Sequence, residues 1–176
     1  MSMENEAIKA ILARRSVRRY ESKPVEREKI DKILECALAA PSAHNFRPWH
    51  FIETTKREVL DALADIHPYG KMLAQAALAI IVCAEKERQN NPDVWWEQDC
   101  GAAMENILVS ATALGLGSVR LGVNHQEASG VPNKIRGLLK IPPHIQVMGI
   151  ASIGYGAEEK TPHQGLDPTR VHPEHW

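Results

Sequence analysis

Three stretches of the chain carry residue types that do chemistry. In "RRSVRRY", residues 14–20, four arginines surround Ser16. A guanidinium binds phosphate bidentately, and a hydroxyl between guanidinia adds a hydrogen bond to the same anion or to a polar ring edge. The same cluster also suits a solvated helix end, where cations complement the macrodipole, and the stretch alone leaves both readings open. In "APSAHNFRPWHF", residues 40–51, two prolines fix the backbone around Ser42, His44, Asn45 and Arg47. It reads either as a stiff loop offering polar groups to a planar ligand, or as a helix C-terminal turn with Asn45 left-handed and Trp49 in the core. In "ALGLGSVRLGV", residues 113–123, one of Gly115, Gly117 and Gly122 serves as a helix C-cap. The other two point to backbone that approaches a ligand closely.

Other chemistries find little support. The chain has neither an HExxH motif nor a nucleophile elbow, and His172 and His175 come without a partner cluster, so no metal site is expected. Cys100 beside Asp99 reads as core, because no cation is placed to lower its pKa. Three cysteines without CxxC spacing point to thiols in a reducing compartment. Lys and Arg total 21 against 22 Asp and Glu, a net charge of -1, which gives no basic face for nucleic acid. The longest apolar run, "AALAIIVCA", falls far short of the roughly 20 residues that span a bilayer. The start "MSMENEAIKAILARR" lacks the basic region of a signal peptide. A cytoplasmic protein without a membrane span is expected.

The elements that must position these stretches follow from periodicity. Ile8, Ile11 and Leu12 predict a helix ending near Arg14, and Ile30, Ile33, Leu34, Ala37 and Leu38 predict a second that Pro41 stops. Strands are expected at 50–54, 78–85, 118–123 and 145–154, the second and last buried on both faces. Helices are expected at 56–66 and 131–141, and a long one, apolar most of the way round, from about Pro92 to Leu114. Residues 155–176 lose all periodicity and can be ordered only by packing against something else. There are too few βαβ units for a doubly wound sheet, so the fold class is α+β with a mixed sheet, in one domain over residues 1–176.

The three stretches in this order, with "WWEQDCGAAMENILVSATALGLGS" and the closing "GIASIGYGAEEK", resemble the nitroreductase family of flavin enzymes over nearly the whole chain. The resemblance implies a mixed central sheet flanked by helices, an intertwined homodimer, and FMN bound at the dimer interface. It implies that Arg14 and Ser16 reach the FMN phosphate, ribityl chain or ring edge, with Arg15 at the phosphate and Arg18 near the pyrimidine. A fixed cation there stabilises the charge of reduced flavin. Backbone groups of Gly117, Ser118 and Val119 match the positions beside the hydride-accepting nitrogen. Pro41, Ser42, Ala43 and Asn45 match the loop that reaches the flavin from the partner subunit.

The chain departs from the family pattern at Arg47, which stands for a glutamine, at Arg120, which stands for an apolar residue, and at Gly165, where relatives place a tail cation before the final leucine. Lys160 or His163 is the candidate replacement; His163 would make FMN affinity pH-dependent. Tyr69, Lys71 and Trp96 are rim candidates for substrate. The function implied is transfer of electrons from NAD(P)H through FMN to a nitroaromatic or quinone by a two-step exchange, with no side-chain acid or base required. Alternatives are a flavin reductase, dehalogenase or dehydrogenase of the same fold, distinguished by the lid between Glu85 and Trp95, a flavin-binding protein without turnover, or an arginine-rich dimeric module for another phosphate.

Overall fold

The computed structural model describes residues 5–88, 91–92 and 95–176. The strands are β1 (Trp49–Thr54), β2 (Leu78–Glu85), the two-residue pair β3 (Glu87–Arg88) and β4 (Asn91–Pro92), β5 (Gly117–Gly122) and β6 (Ile145–Gly154). The helices are α1 (Glu6–Ala13), α2 (Arg27–Leu38), α3 (Arg57–Ile66), α4 (Trp96–Ala113) and α5 (Val131–Leu139). The main sheet runs β1-β2-β6-β5, and all three of its ladders are antiparallel.

β2 and β6 take the central places because their runs are apolar on both faces; every residue of β2 from Leu78 to Ala84 is buried. Both strands cover the spans expected from the sequence. Leu78, Ile80 and Val82 face one core with α2 and α4, while Ala79, Ile81 and Cys83 face a second with Leu60 and Leu63 of α3 and Ile135 of α5. The structure is therefore three layers, helices on both faces of the sheet. The register between β2 and β6 slips where Val82 opposes Gly149 and Cys83 opposes Val147, which makes Met148 the extra residue of a bulge. On the other side of β6 its carbonyl accepts the backbone N–H of Val123 at 3.0 Å, in continuation of the β5 register.

The α+β class agrees with the sequence, whereas the mixed character reduces to one parallel bridge, Ser16 to Ser118, among the described residues. Two spans also differ from expectation. α4 begins at Trp96 and not near Pro92, because Asn91 and Pro92 pair with Arg88 and Glu87. Leu38, expected on the buried face of α2, is 56% exposed, while Ile30, Ile33 and Ala37 of that face are buried.

α1 starts at Asn5, whose side chain accepts the N–H of Ile8, and it packs along α4. Its apolar trio Ile8, Ile11 and Leu12 nevertheless stays exposed. Past Tyr155 the chain returns along the arginine segment. Gly156 bridges Tyr20, Ala157 donates its N–H to the Arg19 carbonyl at 2.9 Å, and Arg15 Nε donates to the Thr161 carbonyl at 2.8 Å. From Thr161 onward every residue is exposed. Among the described residues no helix is long and apolar enough to cross a membrane.

Candidate functional site

The arginine segment is held extended between β5 and the tail. Val17 donates its N–H to the Ser118 carbonyl at 2.9 Å on one side. On the other, the Arg18 N–H reaches Glu158 Oε1 at 2.5 Å. Glu158 also pairs with Lys160 at 2.9 Å. The Arg18 N–H, followed by the Lys160 ammonium, holds the Glu158 carboxyl well below the usual range, at about 2.

Within this frame the four candidate residues have different surroundings. Arg14 pairs with Glu105 of α4 at 3.2 Å. Arg15 is half-buried: its guanidinium donates to the carbonyls of Leu12, Arg14 and Thr161, and its Nη2 is buried with no partner among the described residues. Ser16 sits at the bridge to Ser118. Arg18 is exposed and opens onto a pocket of about 350 Å³ with His67, Tyr69, Met72, Arg120, Leu121, Gly122, Asn124, His125 and Gln126. Among the described residues no carboxylate lines that pocket, while two guanidinia do.

Gly117, Ser118 and Val119 do not open onto this pocket. All three are buried, and a Cβ on Gly117 would lie 2.7 Å from Val17 Cγ1, so that glycine serves the close approach of the chain's own arginine segment. Gly115 follows the α4 C-cap, Leu114, in the left-handed conformation that ends such a helix, with φ of +77°. Of the two glycines of β5, the one that faces open space is Gly122, where an added Cβ would meet nothing within 4 Å. The open part of the strand is thus Arg120 to Gly122, beyond the three residues expected.

The loop after α2 is rigid for reasons the sequence shows only in part. His44, Asn45 and Arg47 all have left-handed φ, at 50°, 57° and 49°. Such conformations persist for residues with a Cβ only where the surroundings enforce them. Here Asp99 of α4 accepts the Ala43 N–H at 3.0 Å, Ser42 Oγ accepts the Arg47 N–H at 2.9 Å, and Arg47 Nε donates to Asn45 Oδ1 at 2.8 Å. Pro41 and Asn45 are exposed and Trp49 is buried, its register partner being Ala84. None of Pro41, Ser42, Ala43, Asn45 or Arg47 lines the Arg18 pocket.

The remaining candidates divide. Tyr69 is exposed at the pocket's rim, whereas Lys71 opens the short turn Lys71–Ala74 and does not line it. Trp96 lies in a neighbouring pocket under the Lys86 ammonium, 5.3 Å from its ring centre. The two pockets share Asn124 and His125. Lys160 is close to the arginine segment but already held by Glu158. His163 accepts the Gly165 N–H at 2.9 Å in a groove against Ile8 and Leu12. The lid between Glu85 and Trp95 falls partly outside the described residues. Cys36, Cys83 and Cys100 form no disulfide, and burial pushes the Cys83 thiol up to about 12, which makes it inert.

His67, Gln126, Asn124 and His125 were not foreseen as part of this site. A lone histidine after an amphipathic helix carries no signal of its own, and the grouping arises from sequence separations of more than fifty residues.

The arrangement fits a long molecule with an anion at one end and a flat polar edge at the other. Arg15 keeps one guanidinium nitrogen buried without a hydrogen-bond partner among the described residues, and three residues away Arg18 opens onto the pocket beside Arg120–Gly122 of β5.

Comparison with known proteins gives a consistent picture. The Nitroreductase family model matches residues 11–67 and 66–155. A putative NADH dehydrogenase/NAD(P)H nitroreductase of Archaeoglobus fulgidus is 43% identical over 174 residues, covering 97% of this chain and 99% of that one. A protein of the same description from Methanothermobacter thermautotrophicus is 42% identical over 171 residues, covering 97% and 88%. Among solved structures, an FMN-dependent nitroreductase of Clostridium difficile superposes with a TM-score of 0.87 at 38% identity, covering 96% of this chain and 99% of that one.

Proposed function

We propose, since this chain belongs to the Nitroreductase family, that the site around Arg15 and Arg18 holds FMN and that a nitroaromatic or quinone is its acceptor. The chain is an NAD(P)H-dependent oxidoreductase, and FMN is its cofactor. When bound, FMN supplies the redox chemistry, accepting a hydride from NAD(P)H and passing electrons to the acceptor that next occupies the same face.

What the chain contributes is binding, orientation and charge. Arg15 holds the phosphate end with Arg14 and Ser16 beside it, Arg18 and Arg120 set a positive potential at the ring, and Tyr69 borders the space left for substrate. The lining has no carboxylate to oppose developing negative charge, which low-dielectric surroundings make costly to leave uncompensated. The observation that carries this reading is Arg15: a charged, buried N–H with no protein partner is expensive unless a ligand takes it.

The functional unit in this reading is a homodimer. The stiff loop at 41–47 does not line the pocket of its own chain, and Ile8, Ile11, Leu12, Leu166 and Trp176 expose apolar surface of the kind a second copy covers. The loop of one subunit then completes the site of the other.

The test is the visible spectrum of the purified protein, followed by release of the cofactor and anaerobic addition of NAD(P)H. A yellow protein that releases FMN equimolar with the chain and bleaches with NAD(P)H is the expected result. A colourless protein that takes up no added FMN overturns the proposal. Bound FMN that is never bleached by either nicotinamide would favour a carrier over an enzyme.

A further inference from the structure

His67 is 2% exposed and has no part in the chemistry proposed above. It closes α3, and its Nδ1 accepts the backbone N–H of Tyr69 at 3.2 Å. The ring proton is therefore on Nε2, which donates to the Gly122 carbonyl at 2.9 Å. Gln126 Nε2 donates to the same oxygen at 2.7 Å. The two side-chain nitrogens lie 3.1 Å apart because they share that acceptor.

The other pole of this peptide is held as well, since the Val123 N–H donates to the Met148 carbonyl at 3.0 Å. One partner is enough to satisfy a carbonyl, so two side chains on this oxygen, one from the end of α3 and one from four residues downstream of it, do more than satisfy it. They remove the peptide's freedom to rotate. That peptide follows the one glycine of β5 whose missing side chain faces open space, in the pocket that Arg18 lines.

We infer that His67, together with Gln126, is a positioning residue that fixes the Gly122 backbone as the protein edge beside the flavin ring and thereby tunes its redox potential. The inference rests on the proposed function. Hydrogen bonds at a flavin's ring nitrogens change between its oxidised and reduced forms, so a fixed backbone edge binds the two forms unequally. An edge free to turn accommodates both, and the potential relaxes toward that of free FMN.

The experiment is a redox titration of the FMN-loaded protein, with its visible absorption band, for the wild type, His67→Phe, His67→Gln and Gln126→Leu. In His67→Phe the preference for one redox form should relax about tenfold, which is ~30 mV in a two-electron potential, and the band should move toward that of free FMN. His67→Gln, whose amide reaches about as far as Nε2, should restore most of the shift. Gln126→Leu should move the potential in the same direction by less.

A His67→Phe protein that melts at lower temperature but keeps the wild-type potential and band overturns the inference, since a merely structural histidine would behave so. Should His67→Phe fail to fold, an unchanged potential in Gln126→Leu overturns it equally. A wild-type chain that takes up no FMN overturns the proposed function, and this inference with it, a result distinct from an unchanged potential in a loaded variant.

Discussion

Replacing Arg15 by Met separates binding from folding at one side chain. In the unliganded protein the guanidinium makes three hydrogen bonds to backbone carbonyls, at 2.8 Å to Thr161, 2.9 Å to Leu12 and 2.6 Å to Arg14. A typical intramolecular hydrogen bond is worth ~0.5–1.5 kcal/mol net, so the three together contribute a few kcal/mol at most. Against this stands the buried Nη2 with no partner, which costs ~1–3 kcal/mol. Methionine removes both, and its thioether fills much of the space of the aliphatic stem. The net loss of stability is then ~0–2 kcal/mol, or a fall of at most ~8 °C in Tm for a chain of this size. FMN binding should suffer far more, since a charge-assisted bond to phosphate is worth ~1.5–3 kcal/mol, which is about 10- to 100-fold in Kd. Riboflavin, which lacks the phosphate, is the internal control. Fluorescence titration of both flavins should show the FMN affinity falling toward that of riboflavin while riboflavin itself moves little. Equal weakening of both, or a wild type that does not distinguish them, would refute the assignment of the unused N–H to the phosphate.

Four further predictions follow from other parts of the molecule. Gly117→Ala places a carbon 2.7 Å from Val17 Cγ1 and 2.8 Å from Val17 Cβ. It should destabilise by ~1–3 kcal/mol in denaturant titration, and Val17→Ala should rescue only part of that, because Val17 Cβ remains too close. Glu158 has a folded-state pKa of about 2 against an ordinary 4.5. Its contribution is thus complete above pH 4.5 and is lost as pH falls toward 2; proteolysis of the tail should accelerate over that window in the wild type, while Glu158→Gln should cut rapidly at neutral pH with no such step. Asp99→Ala removes the acceptor of the Ala43 N–H and should cost ~1–3 kcal/mol in Tm measurements, with Asp99→Asn retaining most of the stability because its amide oxygen can still accept. Ile11→Asp puts a charge on the exposed apolar face of α1, and sedimentation velocity should show a monomer that has lost FMN; an unchanged yellow dimer would place the interface elsewhere.

The sequence discloses most where a residue's environment is decided locally. β2 and β6 were legible to the residue because a strand buried on both faces must be predominantly apolar, as both of these runs are. The start of α4 was not, because the pairing of Asn91 with Arg88 competes with helix formation and leaves no trace in the apolar period. Leu38 fits the helical spacing of α2 yet is exposed, since periodicity identifies an apolar face and does not say whether the same chain covers all of it. The two further left-handed residues of the 41–47 loop were hidden for a similar reason. Asn45 announces such a conformation, whereas His44 and Arg47 are held there by Asp99 and Ser42, contacts that exist only after folding.

The candidate site shows the same division at finer scale. The residue types of the arginine segment point to an anion, but the segment's conformation depends on a tail some 140 residues away, through Glu158 and Thr161. Lys160, a candidate for the missing tail cation, is engaged in holding the carboxylate that holds the Arg18 backbone. Arg15 is left as a group whose charge is not fully used among the described residues. The glycines of residues 113–123 divide in the same way. Two of the three glycines meet the needs of the chain itself, Gly115 in the left-handed turn that follows α4 and Gly117 for the approach of Val17, while Gly122 is the glycine of β5 left bare. A sequence offers no means of telling a glycine required by a neighbouring side chain from one required by a ligand. The difference lies in what occupies the space where the Cβ would be: at Gly117 it is Val17, and at Gly122 the space is open.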